Sequence, residues 1–298
     1  MTTFTIPTPP AFRFWPTVTS HGWYVLSPFQ ADAEARTLGR IHQLDDGQVV
    51  RLILRADADQ HIVVQVEGLQ NGLAPAQRNE ISRALTNSFN LDRDLSDFYA
   101  LVRRHPRYQW IEDRAAGRML AAPTVWEDLA KTLLTTNTTW NLTQQMNARL
   151  TTLGTAYTAG GHAFPTPERI AALPPDDLNT HVRAGYRGAY LHQLAARIAA
   201  GELDVESWRD PALPSTELYQ RVKGLKGFGD YAAGSLLKLL GHFDRLATDT
   251  ECRAAYKAIH NGVPAQSDAE IAAYYQPFGL WRGLVQWMDV MESSLKDS

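Results

Sequence analysis

LKGFGDYAAG, residues 225–234, sets two glycines around one aromatic, followed by an acid and a run of small residues. The preceding STELYQRVKGL (215–225) has the spacing of one helix, and a second helix is expected to begin near Asp230. So short a link makes a tight helical hairpin. Gly227 and Gly229 permit positive φ and close backbone approach, and Phe228 between them can plug the hairpin interior. The second helix then starts with free N–H groups and partial positive charge. That end is a ready anion site, and a phosphate held by backbone rather than by lysine or arginine is its natural occupant. Taken alone, a plain glycine-bearing turn explains the same residues.

The residues after the hairpin add weight to the anion site. Beyond DYAAGSLLKLLG comes HFDRLATDTECR, which puts Asp249 at the start of another helix, one helix length past the hairpin. A capping box between Thr248 and Glu251, with Asp249 favouring the helix dipole, is the plain account. An acid at a helix start can also face a cleft, and the two accounts are compatible.

The remainder of the chain sets bounds. Its 298 residues are 44% hydrophobic and 20% charged, the profile of an ordinary globular protein with a sizeable core. The single cysteine, Cys252, excludes an intramolecular disulfide and any cluster built on several thiolates, which suits a reducing cytoplasm. MTTFTIPTPPAFRFWP lacks the basic flank and apolar run of a signal peptide, and no apolar stretch is long enough for a bilayer. The nine histidines show no HExxH spacing, so a metal-dependent hydrolase is not expected. A net charge of −3 means that affinity for nucleic acid must rest on local features.

Two textures divide the chain. From Phe12 to about Gly68 the pattern alternates, with β-branched runs at Val49–Leu54 and Ile62–Val66 and a further strand candidate in GWYVLSPF (22–29). From Gln77 onward the spacing is helical, in about ten short segments that open at Ser, Thr or Asp and close at Gly or before Pro. The expected fold is α+β and mostly α. An N-terminal antiparallel sheet domain spans residues 1–76, with a helix at 77–90 packed on it. A helical bundle spans 91–298 and carries the hairpin at 215–240.

The stretch from Leu225 to Arg253 resembles the helix-hairpin-helix, Gly/Pro-rich loop and catalytic aspartate of the base-excision DNA glycosylase (HhH-GPD) superfamily, with Lys226 where proline is usual. FNLDRDLSDFYALV (89–102), TTNTTWNLTQQMNARL (135–150) and AGYRGAYL (184–191) resemble successive segments of 8-oxoguanine glycosylases, in the same order. The sheet-bearing N-terminus is similar to the domain that precedes the helices in those enzymes and in 3-methyladenine DNA glycosylase II.

The resemblance implies roles. Leu225, Gly227, Phe228 and Gly229 would bind the DNA backbone, and the carbonyls of Leu225 and Gly227 would hold a K+ or Na+ ion that bridges to phosphate. No other cofactor is implied. Asp249 would be the essential carboxylate. Asn137 would fill the hole left by the flipped nucleotide, Tyr186 would wedge into the stack, and Arg187 would reach the opposite base. The plain alternatives are a helix cap for Asn137, core packing for Tyr186 and a solvated charge for Arg187. VRRHPR (102–107) and HVRAGYRG (181–188) would add local positive charge. The partner implied is double-stranded DNA with a damaged base, met in the cytoplasm at the nucleoid, by a monomer that touches no membrane.

One departure bears on chemistry. Bifunctional members carry a lysine two residues after the second hairpin glycine, and this chain has Tyr231 there, which forms no imine. Neither Lys226 nor Lys238 is an obvious substitute. The expected activity is therefore monofunctional: hydrolysis of the N-glycosidic bond, with Asp249 stabilising oxocarbenium-like charge and guiding water. Alkylated purines, which are good leaving groups and stack well on aromatics, are the leading substrate expectation, with Tyr231, Phe278 and Trp281, and near them Trp287, walling the pocket. Oxidised or deaminated bases form the second reading, and a non-catalytic binder of damaged DNA the third.

Overall fold

A computed structural model describes residues 2–296. Five strands form one antiparallel sheet: β1 (Thr2–Ile6), β2 (Phe29–Asp32), β3 (Thr37–Gln43), β4 (Val49–Ala56) and β5 (Ile62–Glu67), in the order β1-β5-β4-β3-β2. Alternation fixes the register. Phe4 faces Val64, Val64 faces Leu54, and Leu54 faces Leu38, so one buried apolar row crosses four strands. A one-residue slip would turn that row to solvent.

The short helix α1 (Phe14–Val18) follows β1, and α2 (Pro75–Ser88) follows the sheet. The latter starts two residues earlier than expected, because Pro75 suits the first helical position and Gln77 accepts the Ala74 N–H at 3.0 Å. Then come α3 (Ser96–Val102), α4 (Gln109–Asp113), α5 (Val125–Thr135), α6 (Trp140–Thr151), α7 (Pro167–Ala171), α8 (Pro175–Val182) and α9 (Tyr186–Ala199). The hairpin helices α10 (Ser215–Lys223) and α11 (Asp230–Leu239) precede α12 (Thr250–Ile259), α13 (Asp268–Tyr275) and α14 (Arg282–Lys296). Among the described residues no helix is long and apolar enough to cross a membrane.

Two apolar cores result, and they do not follow the linear division of the chain. The first joins the sheet, α2 and α3 to the C-terminal helices through Tyr256, Ile271, Tyr275, Leu284, Val285 and Met288. The second is built from α5 to α11. The chain thus returns to its N-terminal unit at the end, and the step from α11 to α12 crosses from one core to the other. Asp249 lies on that step.

Buried charge ties the two bodies. Arg40 of β3 makes a bidentate contact with Glu127 of α5 (3.0 and 2.6 Å), and Lys131 Nζ lies 2.7 Å from the same carboxylate. Asp128 accepts the Trp23 indole N–H at 2.7 Å and the Ala122 N–H at 2.8 Å, and pairs with Arg209 at 3.2 Å. Each acid is satisfied across the seam, where losing one partner would strand a buried charge.

Candidate functional site

The hairpin forms as its glycines suggest, with a difference between them. Gly227 has φ +89°, and a Cβ there would stand 2.6 Å from Leu133 Cδ1 and 2.9 Å from Tyr190 Cδ2. Gly229, the N-cap of α11, has an ordinary φ of −84°, and a Cβ there would meet nothing within 4 Å. Gly227 therefore serves a left-handed turn and close packing, while Gly229 leaves the helix start open. Leu225 and Phe228 are buried in the second core. Asp230, first residue of α11, receives the Tyr219 hydroxyl and the Lys223 ammonium, so the carboxylate at this helix start is neutralised from α10.

Asp249 is itself the N-cap of α12, where Oδ1 accepts the Cys252 N–H at 2.8 Å. The expected capping box through Thr248 does not form; Thr248 Oγ1 accepts from Gln286 Nε2 at 3.2 Å. Tyr231, on the first turn of α11, lies close enough to Asp249 to sense its charge. Burial first, then that carboxylate, push the tyrosine hydroxyl up to about 12. Burial likewise drives the Cys252 thiol up to about 12, so it is a poor nucleophile.

Asn137, Tyr186 and Arg187 meet. Asn137 is exposed in a left-handed conformation (φ +47°), which asparagine tolerates better than most residues. The cap of α6 is Thr139 instead, accepting the Leu142 N–H at 3.4 Å. Asn137 Nδ2 donates to the Tyr186 hydroxyl at 3.2 Å, and Tyr186 is 47% exposed, too open for a core residue. Arg187 turns inward. It is 8% exposed and donates to the carbonyls of Thr136, Asn137 (2.9 Å) and Ala184 (3.2 Å), with its guanidinium 4.6 Å from the centre of the Tyr186 ring. In this structure it does not reach outward as the opposite-base role requires; it holds the loop that presents Asn137 and supports the Tyr186 ring.

No family model and no curated protein sequence matches the chain. Solved structures do. A 3-methyladenine DNA glycosylase from Archaeoglobus fulgidus superposes with a TM-score of 0.75 at 16% identity, covering 98% of both chains. An 8-oxoguanine glycosylase/lyase from Clostridium acetobutylicum gives 0.72 at 18% identity in its apo form, over 97% of this chain and 95% of that one. The same enzyme with double-stranded DNA containing cytosine opposite 8-oxoguanine gives 0.73 at 16%, over 100% and 99%. The fold is the DNA glycosylase fold.

Within that fold two expected pocket residues are engaged in packing. Phe278 is buried against His105, Tyr108 and Tyr275, and Tyr108 leads on through Tyr274 to Tyr256. Tyr256 lies about 10 Å along α12 from the Asp249 end, at seven residues of helical rise. The cause is local: Gly279 breaks the helical path at φ +55°, so the 3-10 turn Gln276–Trp281 folds Phe278 inward. Trp281 stacks on Phe243 at 5.4 Å and leans on Phe98 at 5.3 Å, which engages its ring in packing. In the basic run 102–107, Arg103 pairs with Glu112, and Arg107 with Asp289 and Glu292, while Arg104 is exposed; Arg149, His181 and Arg183, with Asp177 among them, line a shallow concavity on the α6–α8 side.

Two residues emerge that the sequence patterns did not single out as partners. His21 packs on Trp23 at 4.2 Å and on Trp287 at 5.5 Å, and Lys238 Nζ sits 5.2 Å from the centre of the Trp287 ring. Lys238 stands seven residues after Tyr231 on α11, hence on the same helix face, which is the one available signal.

Proposed function

We propose that this protein is a monofunctional DNA glycosylase that removes a damaged purine and leaves an abasic site. The observation that carries the reading is Asp249 capping α12, one helix beyond the hairpin, on the seam between the two cores, with Tyr231 of α11 within reach of its field. The fold shared with DNA glycosylase structures supports it.

In this mechanism the start of α11, open at Gly229, takes a backbone phosphate, and the carbonyls of Leu225 and Gly227 supply neutral oxygen donors of the kind a K+ or Na+ ion accepts. Tyr186 enters the stack and Asn137 fills the space of the extruded nucleotide, which offsets the few kcal/mol that unstacking costs. As the C1′–N bond lengthens, positive charge gathers on the sugar, and the Asp249 carboxylate stabilises it and takes a proton from the attacking water. Tyr231 offers no amine, so no Schiff base forms at that position and the strand is left uncut.

Of the aromatics expected to wall a pocket for a cationic alkylpurine, Phe278 is buried in core packing and one face of the half-buried Trp281 is taken by Phe243. That observation favours the second reading of the substrate, an oxidised or deaminated base.

The test uses short duplexes that carry single lesions: 7-methylguanine, 1,N6-ethenoadenine, hypoxanthine, 8-oxoguanine or uracil. Each reaction is divided, treated with or without hot alkali, and run on a denaturing gel. Cutting only after alkali is expected. Cutting without alkali, trapped by borohydride, would overturn the monofunctional reading. Tight binding with no base loss on any lesion would leave a damage-binding protein.

A further inference from the structure

Lys238 is 3% exposed; burial lowers its pKa below the usual lysine range, and the Cys252 and Asp249 fields oppose that and favour the ammonium. The other deeply buried lysine, Lys131, has Glu127 at 2.7 Å. No hydrogen bond or ion pair to Lys238 Nζ forms among the described residues; its near neighbour is the face of the Trp287 indole. Buried lysines are ordinarily paired, so this one stands out. Asp249 and Cys252 act on it from α12 only through their field.

His21 repeats the pattern from a different element. It is 9% exposed, and its Nδ1 is sealed from solvent without a partner. Its ring lies against Trp23 and Trp287, and the Trp287 N–H is already committed to the Ser20 carbonyl at 2.8 Å. Two unpartnered polar groups and one indole thus converge from the N-terminal segment, α11 and α14. They do so on the α11 face that begins with Tyr231, two helical turns further along, where the field of Asp249 still reaches Lys238. An arrangement of this kind costs folding free energy unless a ligand edge completes it.

We infer that Lys238 and His21 read the polar edge of the extruded base over Trp287, and that the base is a neutral purine bearing an exocyclic oxygen rather than a cationic N-alkylpurine. This rests on the glycosylase reading. A cationic purine wants an aromatic face free of other cations, and here an ammonium stands on that face. A neutral purine needs the opposite, because it is a poor leaving group. When the C1′–N9 bond breaks, its electron pair passes to the purine, and the charge spreads onto the ring nitrogens and the exocyclic oxygen. The Lys238 ammonium donates to that oxygen as the charge grows. Water closes the reaction at C1′: its proton goes to Asp249, and the departing base takes one from Lys238. Solvent restores both groups. Hypoxanthine and 8-oxoguanine share this chemistry, and separate substrates distinguish them.

The experiment is a single-turnover assay of the full chain on duplexes with hypoxanthine, 8-oxoguanine or 7-methylguanine, each rate expressed as acceleration over spontaneous base loss. Wild type is expected to accelerate loss of at least one oxopurine more than loss of 7-methylguanine. In Lys238→Met the ratio of oxopurine to 7-methylguanine acceleration is expected to fall about a hundredfold, the usual effect of removing one donor to developing charge. A wild-type preference for 7-methylguanine overturns the inference while sparing the glycosylase reading, and it does so even if the variant fails to fold. An equal loss on all lesions in a folded variant also overturns it, as does borohydride trapping at Lys238, which would make the amine a nucleophile. No base loss from any duplex by wild type overturns the glycosylase reading and this inference with it.

Discussion

Asn137 Nδ2 donates a hydrogen bond to the Tyr186 hydroxyl at 3.2 Å, across 49 residues of sequence. The pair stands on a common floor with the hairpin. Tyr186 meets Tyr190 edge-on at 5.5 Å, and Tyr190 is the ring that a side chain at Gly227 would strike. The residues proposed for the DNA stack and those proposed for the DNA backbone are therefore positioned by the same packed residues, and on the proposed function a duplex held at the hairpin would meet Tyr186 at a fixed offset.

Arg187 makes that arrangement rigid. Its guanidinium satisfies carbonyls on two loops, and hydrogen bonds from a charged donor are worth about 1.5–3 kcal/mol each. Arg187→Ala is expected to lower stability by about 2–3 kcal/mol, since the stranded carbonyls regain some water. Arg187→Lys should rescue little, because one ammonium cannot reproduce the planar fork. Urea unfolding checks the first effect. Arg187→Ala is also expected to slow base extrusion, followed with a fluorescent adenine analogue beside the lesion; unchanged extrusion would detach this residue from the support of Tyr186.

Asp249 caps α12, and one substitution separates that duty from the chemical one proposed for it. Asparagine caps a helix about as well as aspartate. Asp249→Asn should therefore keep stability within about 0.5 kcal/mol and keep duplex binding, while base release falls by about a thousandfold, as expected when a group facing transition-state charge is neutralised. A variant that releases base at the wild-type rate would remove Asp249 from the mechanism.

The sheet, the helical texture and the hairpin were legible because each is written in local periodicity: alternation at 49–54 and 62–66, and glycines between two helical spacings at 215–240. The Asn137–Tyr186 meeting was legible only through resemblance, since nothing local links residues 49 apart. The features that stayed hidden are tertiary. The inward turn of Phe278 depends on Gly279 adopting φ +55°, and GLW in sequence reads as helix as readily as break. The pairing of Arg103 and Arg107 depends on acids at 112, 289 and 292. His21 and Lys238 meet one indole from opposite ends of the chain, and only the folded seam brings them together.

His21 gives the fold an acid-sensitive point. Burial first, then the charges of Lys238 and Lys131, lower its pKa from 6.5 to about 3. A depressed value means that the folded state resists protonation. The stability this contributes is complete above pH 6.5 and is lost progressively as pH falls toward 3. At pH 5 the loss from this residue is about 2 kcal/mol, or roughly 1.5 pH units at about 1.36 kcal/mol each. His21→Phe should remove that share, so the gap between urea midpoints at about pH 7.5 and pH 5 narrows relative to wild type. Equal gaps in the two proteins would show that His21 is protonated without penalty.

The two hairpin glycines should respond in opposite ways. At Gly227 an alanine would hold a left-handed φ of +89° and press on Leu133 and Tyr190, so Gly227→Ala is expected to cost about 2–3 kcal/mol in urea unfolding. At Gly229 the backbone is ordinary and the space beyond the missing Cβ is empty, so Gly229→Ala should alter stability by no more than about 0.5 kcal/mol. Its added methyl stands where a phosphate would approach the first N–H groups of α11, and duplex affinity measured by fluorescence anisotropy should weaken by about tenfold. If Gly229→Ala binds duplex as tightly as wild type, the DNA backbone does not approach the α11 start through this opening.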